Sequence, residues 1–457
     1  MLKRTLLLPG MQIGDYSIIE KIGSGGFGTV YSVESNIDSS KYALKILQKT
    51  GKCPISAIHR EIEISMIISN EYSLNKTKPA EFAQIFDIGE TDNFIYYVSE
   101  LLGPSLDSLI NKQREDINHQ SINSHIKILK YGKEMLLCLK KLHAMHVIHC
   151  DVKPENFLFR NGNEISLIDF GLSKIVKNDK SDQKGSIQSF ISIFRKLFQT
   201  KSNVHKNLYQ DIDLSQVVKS SFIQIEKELK SCKKKINLFL LSKGLTYSSI
   251  NNENQDNKSC YQCNYKKKKA HFKGTYKYAS SNTLSGGVIG PRDDLISWFY
   301  SILELYSGSR ILPWESLTHE IMAHHHNQLS DSCFNSDSKS SYHLDNSETP
   351  LVQMKKMKEY FEGDINTITK NYNFDTKGYI LPEQLCEILH MPIEMAAAFR
   401  CILALKPGET FYHDDCYDEI LFYIDSAIQS LEAIQKRENE NIDNLNTEAR
   451  MENTVTI

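Results

Sequence analysis

The run YALKIL places Lys45 in the middle of an apolar, strand-like stretch, with Leu44 before it and Ile46 and Leu47 after it. A buried ammonium without partners loses several kcal/mol of hydration, so any fold that accepts this strand must bring anions to Lys45 from elsewhere. Around it, 16–97 reads as short strands rich in β-branched and aromatic residues, interrupted by one helical stretch near 58–68. From Leu106 the apolar spacing becomes helical, as in Ile126, Leu129, Met135, Leu136, Leu139 and Leu142. The expected class is α+β, with a small sheet-rich lobe followed by a larger helical one.

Phosphates are the anions best suited to such a lysine, and the preceding segment offers a cradle for them. KIGSGGFGTVY places Gly23, Gly25 and Gly28 at G-x-G-x-x-G spacing, followed by Val30, with strand-like sequence on both sides. Glycine lets backbone close over phosphates without a Cβ, and Ile22, Val30 and Ala43 are apolar candidates to cover an adenine. A glycine-rich hairpin with no ligand is the plain alternative. No helix opens at the third glycine, which disfavours a dinucleotide fold. Glu61 is the expected carboxylate partner of Lys45, with Glu63 the fallback.

Two later motifs supply the rest of a phosphoryl-transfer apparatus. VIHCDVKPENFLF contains Asp151, Lys153 and Asn156, and LIDFGLSK contains Asp169 before Phe170 and Gly171. Asp151 would accept a hydrogen bond from an acceptor hydroxyl and Lys153 would steady the transferring group. Asn156 and Asp169 offer the hard oxygens that magnesium, or manganese, prefers.

With these parts in order, the sequence resembles serine/threonine protein kinases of the casein kinase I superfamily, including its tau-tubulin kinase branch. The likeness is carried by YYVSELLGPSLDSL from Tyr96, KPENFLF from Lys153, GTYKYASSNT from Gly274, GPRDDLISWFYSILEL from Gly290 and LPWES from Leu312. It continues more weakly through MPIEMAAAF, from Met391, to about 428.

The resemblance implies a bilobal eukaryotic protein kinase domain over about 15–428, with a β-rich N-lobe over 15–101 and an α-helical C-lobe over 102–428. A short extension over 1–14 and a polar tail over 429–457, read as a frayed helix and then disorder, flank it. It also implies ATP and a magnesium ion as cofactors, protein substrates and a monomeric catalytic domain. Ser99 stands at the back of the adenine pocket, Glu100 and Leu102 in the hinge meeting adenine, and Asp294 on a buried helix bracing the catalytic loop.

Three departures bear on function. The usual A-P-E element is absent, as in that family. Cys150 stands where many kinases carry an arginine that pairs with a phosphorylated activation loop, which predicts activity without that modification. The rival reading is a pseudokinase scaffold that binds nucleotide without transferring phosphate. Lys277 matches a family arginine, which points to acidic or phosphate-primed substrates.

Two segments read as surface insertions, about 177–271 and about 318–350. From Lys177 to Lys273 there are 20 Lys and Arg against 8 Asp and Glu, so this stretch is strongly basic although the chain carries only −2. It could bind acidic partners, act as a nuclear address or fold onto the kinase body, and solvated lysines are the plain alternative. Within it Ile187, Phe190, Ile191, Phe194, Leu197 and Phe198 share a helical face, and Asp213 could cap a second helix. Cys260 and Cys263, with Cys232 and His271, have the makings of a zinc clip, and His324, His325 and His326 form a His-rich loop.

No run of about 20 apolar residues occurs, and the balanced charge predicts neither a membrane nor a nucleic-acid partner. Ten irregularly spaced cysteines suit reduced thiols in the cytoplasm or nucleus.

Overall fold

The computed structural model describes residues 7–25, 28–49, 55–74, 80–91, 93–110, 121–162, 164–176, 272, 274–308, 311–322, 349–363, 379–409 and 412–455. The basic segment with its expected helices, Cys232, Cys260, Cys263 and His271, and the His-rich loop, lie outside these residues.

Six antiparallel strands form the N-lobe sheet: β1 Gln12–Ile13, β2 Tyr16–Gly25, β3 Gly28–Ser35, β4 Lys41–Gln48, β5 Ile85–Glu90 and β6 Phe94–Glu100. Their order is β1-β2-β3-β4-β6-β5, and helix α1, Ile55–Leu74, connects β4 to β5. The strand alternation divides β4 cleanly. Leu44 and Ile46 join Tyr31, Val33 and Val98 in a core on one face, while Leu47 packs with Ile58 and Ile95 beneath α1 on the other. Each such buried aliphatic side chain stabilises by about 1.5–3 kcal/mol. Lys45 shares the face of Leu47, which is why it points toward α1 rather than into the apolar core.

Gly28 is required where β2 turns into β3. Its φ is +130°, and a Cβ there would overlap the carbonyl oxygen of Ile46 on β4.

The helical lobe is built on α2, Ile122–Ala144, and α4, Pro291–Ser307, with α3, Ser281–Leu284, between them in sequence. The Ser121 hydroxyl caps α2 by accepting from Ser124 N–H. Ile126, Leu129, Met135, Leu136, Leu139 and Leu142 form the buried face that their spacing predicts. Pro291 through Tyr306 are all buried, so α4 is the central helix, covered on every side. It approaches α2 closely at Gly132, whose carbonyl accepts from Trp298 Nε1 at 2.9 Å. Further helices of the lobe include α5 Pro350–Phe361, α6 Pro382–Ile388, α7 Ile393–Ala404 and α8 Asp414–Val455. The result is the two-lobed α+β architecture expected.

Two boundaries differ from the sequence reading. Residues 315–322 are helical with Ile321 buried, and Thr349 begins the α5 cap, so the expected excursion over 318–350 narrows at both ends. The tail expected to fray after 428 continues as α8 to Val455. Ile420, Ile424, Ala427, Ile428 and Leu431 keep one apolar stripe running past that point, and Ser430 donates to Glu394 at 2.7 Å. Lys133 and Lys140 on α2 pair with Asp425 and Asp418 on α8. Among the described residues no helix is long and apolar enough to cross a membrane.

Candidate active site

Three elements that are far apart in sequence meet at Lys45. Its Nζ lies 2.7 Å from Glu61 Oε1 on α1 and 3.1 Å from Asp169 Oδ1. Tyr97, opposite Lys45 on β6, donates its hydroxyl to the same Glu61 oxygen at 3.2 Å. The carboxylate facing Lys45 is therefore Glu61 rather than the fallback Glu63.

Burial pushes the Glu61 carboxyl up to about 7, against the pull of Lys45. Asp169 is also buried, but the Lys45 ammonium and a hydrogen bond from Glu61 overcome that and bring it to about 2. For Lys45 itself, burial opposes the charge, and Tyr97, Glu61 and Asp169 outweigh it and hold the pKa well above the usual.

The loop below is held in shape from α4. It runs from β7, Val147–Ile148, through the 3-10 turn Pro154–Asn156 to β8, Phe157–Arg160, and β9, Glu164–Leu167. Asp294, at 2% exposure, accepts from the backbone N–H of His149 at 2.6 Å and of Cys150 at 2.9 Å. It also accepts from His143 Nε2 at 2.9 Å, while His143 Nδ1 lies 2.7 Å from the Tyr417 hydroxyl on α8. Both Cys150 and Asp169 have φ of +67°, a conformation that non-glycine residues adopt only when their surroundings enforce it.

On the acceptor side, Asp151 Oδ2 lies 3.0 Å from Lys153 Nζ, and Asp151 Oδ1 accepts from Thr275 Oγ1 at 2.8 Å. Lys153 Nζ also donates to Thr275 Oγ1 at 3.1 Å. Thr275 was not among the expected site residues. Its motif, GTYKYASSNT, reads as a peptide-positioning segment, but no spacing in it tells which hydroxyl folds back onto Asp151. Asn156 donates Nδ2 to the Asp151 carbonyl at 2.8 Å, leaving its side-chain oxygen for a cation.

Cross-strand pairing places Val30, Ala43, Lys45, Tyr97 and Ser99 on one face of the sheet, with Ala43 directly opposite Ser99 and Gly23 opposite Val30. Gly25 pairs with Gly28 at the end of the β2–β3 hairpin, and Ile22 is 48% exposed. In the connection to the second lobe, Glu100 N–H donates to the Gln84 carbonyl at 3.0 Å and Gly103 N–H to the Phe159 carbonyl at 2.8 Å. Among the described residues Leu102 makes no backbone–backbone bond. A second residue missed by the sequence reading is Arg160. It pairs with the Glu100 carboxylate and donates to the carbonyls of Ala80 and Phe82 at 3.1 and 3.0 Å, fastening the hinge from behind.

One expectation changes. Lys277 is 12% exposed and its ammonium pairs with Glu304 and Glu315, so it is neutralised inside the lobe and is not presented to an acidic substrate. The Cys150 thiol is pushed well up by burial and by Asp294, and it turns to the Ile148 carbonyl, which leaves it unsuited to redox chemistry. A guanidinium does reach the following segment from another element: Arg60 on α1 donates to the Ser173 carbonyl at 3.1 Å.

Against known proteins, residues 16–192 match the family model of the protein kinase domain. The chain is 31% identical over 163 residues to a probable casein kinase I homologue of Encephalitozoon cuniculi, covering 35% of this chain and 46% of that relative. It is 28% identical over 196 residues to a probable serine/threonine-protein kinase of Dictyostelium discoideum, covering 42% and 38%. It is 28% identical over 182 residues to a mitogen-activated protein kinase of Saccharomyces cerevisiae, covering 39% and 46%. The chain thus spans less than half the length of these relatives. The match to the protein kinase domain model spans 16–192, and the two-lobed α+β fold agrees with it.

Proposed function

We propose that this chain is an active serine/threonine protein kinase of casein kinase I type, moving the γ-phosphate of ATP to hydroxyls of other proteins. The observation that carries the reading is the junction at Lys45, where β4, α1 and the Asp169 turn close around one ammonium. A cation held in this way is ready to neutralise phosphate charge with little rearrangement, which is the chief demand of phosphoryl transfer.

In this reading Gly23, Gly25 and Gly28 cover the phosphates, Lys45 neutralises them, and Glu61 orients Lys45. Ile22, Val30, Ala43 and Ser99 enclose the adenine, and Glu100 and Leu102 meet it through backbone groups. Asp151 orients the acceptor hydroxyl and Lys153 steadies the moving phosphoryl. Fixing both reactants in this way can supply about 7–11 kcal/mol of the barrier.

Asn156 and Asp169 are the residues that would hold magnesium. Among the described residues no group of three or more His, Cys, Asp or Glu could cage a metal. Two hard oxygen donors fit an ion that keeps its waters and takes the remaining ligands from the nucleotide. When bound, magnesium supplies charge neutralisation at the β- and γ-phosphates.

Independence from activation-loop phosphorylation is part of the proposal. It is supported by Cys150 in place of the usual arginine, and by the Asp294 bonds to the loop and the Arg60 bond to Ser173, which join groups of the chain itself. The test is transfer of labelled phosphate from Mg-ATP to casein-type peptides, with Asp169→Asn as the blank. Transfer that is absent in the blank and abolished by chelation supports the kinase. No transfer above the blank leaves the nucleotide-binding scaffold.

A further inference from the structure

The stretch after Thr275 is held by a lysine that the catalytic apparatus does not include. Lys358, on α5, is fully buried. Its Nζ donates to the carbonyls of Tyr276 at 2.8 Å, Lys277 at 2.9 Å and Ala279 at 2.5 Å. An ammonium has three protons, and each has a backbone acceptor. The rings of Trp314 and Tyr300 lie 4.7 and 5.2 Å from the same nitrogen, and they and the Glu362 carboxylate favour its charge against burial, which pulls the Lys358 pKa well below the usual lysine value. Trp314 Nε1 adds a fourth donor, to the Lys277 carbonyl at 2.8 Å.

One turn along, Glu362 accepts from Ser281 N–H at 2.8 Å and Ser281 Oγ at 2.6 Å, and from the Tyr300 hydroxyl at 2.7 Å. Every one of the Lys358 bonds goes to main chain, so this hold on 276–279 is separate from the side-chain bonds of Lys277 and Tyr278 to Glu304 and of Lys277 to Glu315. The sequence lacks an A-P-E element at the end of this stretch, and α5 supplies an anchor in its place. Burying a charged lysine is expensive, and a well-packed apolar residue generally stabilises a core at least as well. The geometry it imposes accounts for a lysine here better than stability does.

We infer that Lys358 is a positioning residue for the acceptor side: it sets the backbone of 276–279, next to Thr275 and Asp151, and thereby how tightly a protein acceptor is held. The inference rests on the kinase reading above, and it leaves nucleotide binding untouched.

The experiment compares the full chain with Lys358→Met, which keeps the volume, and with Trp314→Phe, which removes the indole N–H and part of the ring but leaves Lys358 in place. Peptide KM, ATP KM and amide hydrogen exchange over 276–281 are measured in each. Lys358→Met is expected to raise the peptide KM at least tenfold with ATP KM within twofold, and to speed exchange in 276–281 while α2 and α4 stay protected. Trp314→Phe moves the same two quantities about threefold, and decides alone if Lys358→Met does not fold. Unchanged peptide KM and exchange overturn the inference. So does a joint rise of both KM values with loss of protection in α4, which marks a plain core residue. A wild-type chain that transfers no phosphate refutes the kinase reading, and exchange over 276–281 then decides the hold of Lys358 by itself.

Discussion

The backbone N–H of Cys150 donates to Asp294 Oδ1 at 2.9 Å while the Cys150 side chain turns away toward the Ile148 carbonyl. The loop that carries Asp151 is thus suspended from α4 through main-chain bonds, and the left-handed backbone at Cys150 is enforced by a buried carboxylate.

Asp294→Ala should therefore disrupt more than one hydrogen bond. Two buried amides and His143 lose an ionised acceptor, and each such bond contributes about 1.5–3 kcal/mol. The expected outcome is a melting temperature lowered by several degrees and a fall in transfer of at least a hundredfold. Thermal unfolding and phosphate transfer are the measurements. A variant with wild-type transfer would show that the loop keeps its shape without Asp294.

Arg60→Ala tests how α1 is tied to the Asp169 turn without a phosphorylated loop. Losing the bond to the Ser173 carbonyl should lower transfer about tenfold, while phosphatase treatment of the wild-type chain should change it less than twofold. A large loss on phosphatase treatment would contradict the proposed independence.

The Glu61 carboxyl gives a pH signature. Its folded pKa of about 7 lies above the ordinary 4.5, so the folded chain holds this proton more tightly than the unfolded chain. Its contribution to stability is complete below pH 4.5 and is lost as pH rises through 7. Asp169, lowered to about 2 from 3.8, acts in the opposite sense and is lost only as pH falls through 2. Glu61→Gln should accordingly shrink the difference in melting temperature between pH 5 and pH 8. An unaltered difference would mean that Glu61 is ionised throughout that window.

Ser99 faces Ala43 across the strand pair, so two small side chains meet at the rear of the proposed adenine pocket. ATP-site inhibitors bearing a bulky aromatic group should bind the wild-type chain at least tenfold more tightly than Ser99→Met, with ATP KM little changed. Equal inhibition of both would rule out an open rear pocket.

Local chemistry made the outline legible from residues alone. The alternation in β4 put Lys45 on the face opposite Leu44 and Ile46, and the 3.6-residue spacing of Ile126 to Leu142 announced α2, because both depend only on neighbours along the chain. Motif spacing likewise named Asp151, Asn156 and Asp169, and the need for a helix carboxylate beside Lys45 narrowed that partner to Glu61 or Glu63. What the sequence could not disclose were contacts between elements far apart in the chain. Thr275 on Asp151, Arg160 on Glu100 and Lys358 on three carbonyls join residues 124, 60 and 79 to 82 positions apart. The same holds for Lys277, whose charge looked available until packing set Glu304 and Glu315 beside it. Sequence determined the lobes and the chemistry-bearing positions because period and motif are local. Tertiary structure alone decided which charges are neutralised and which backbone is held, because those depend on desolvation and on partners that only the folded chain brings within reach.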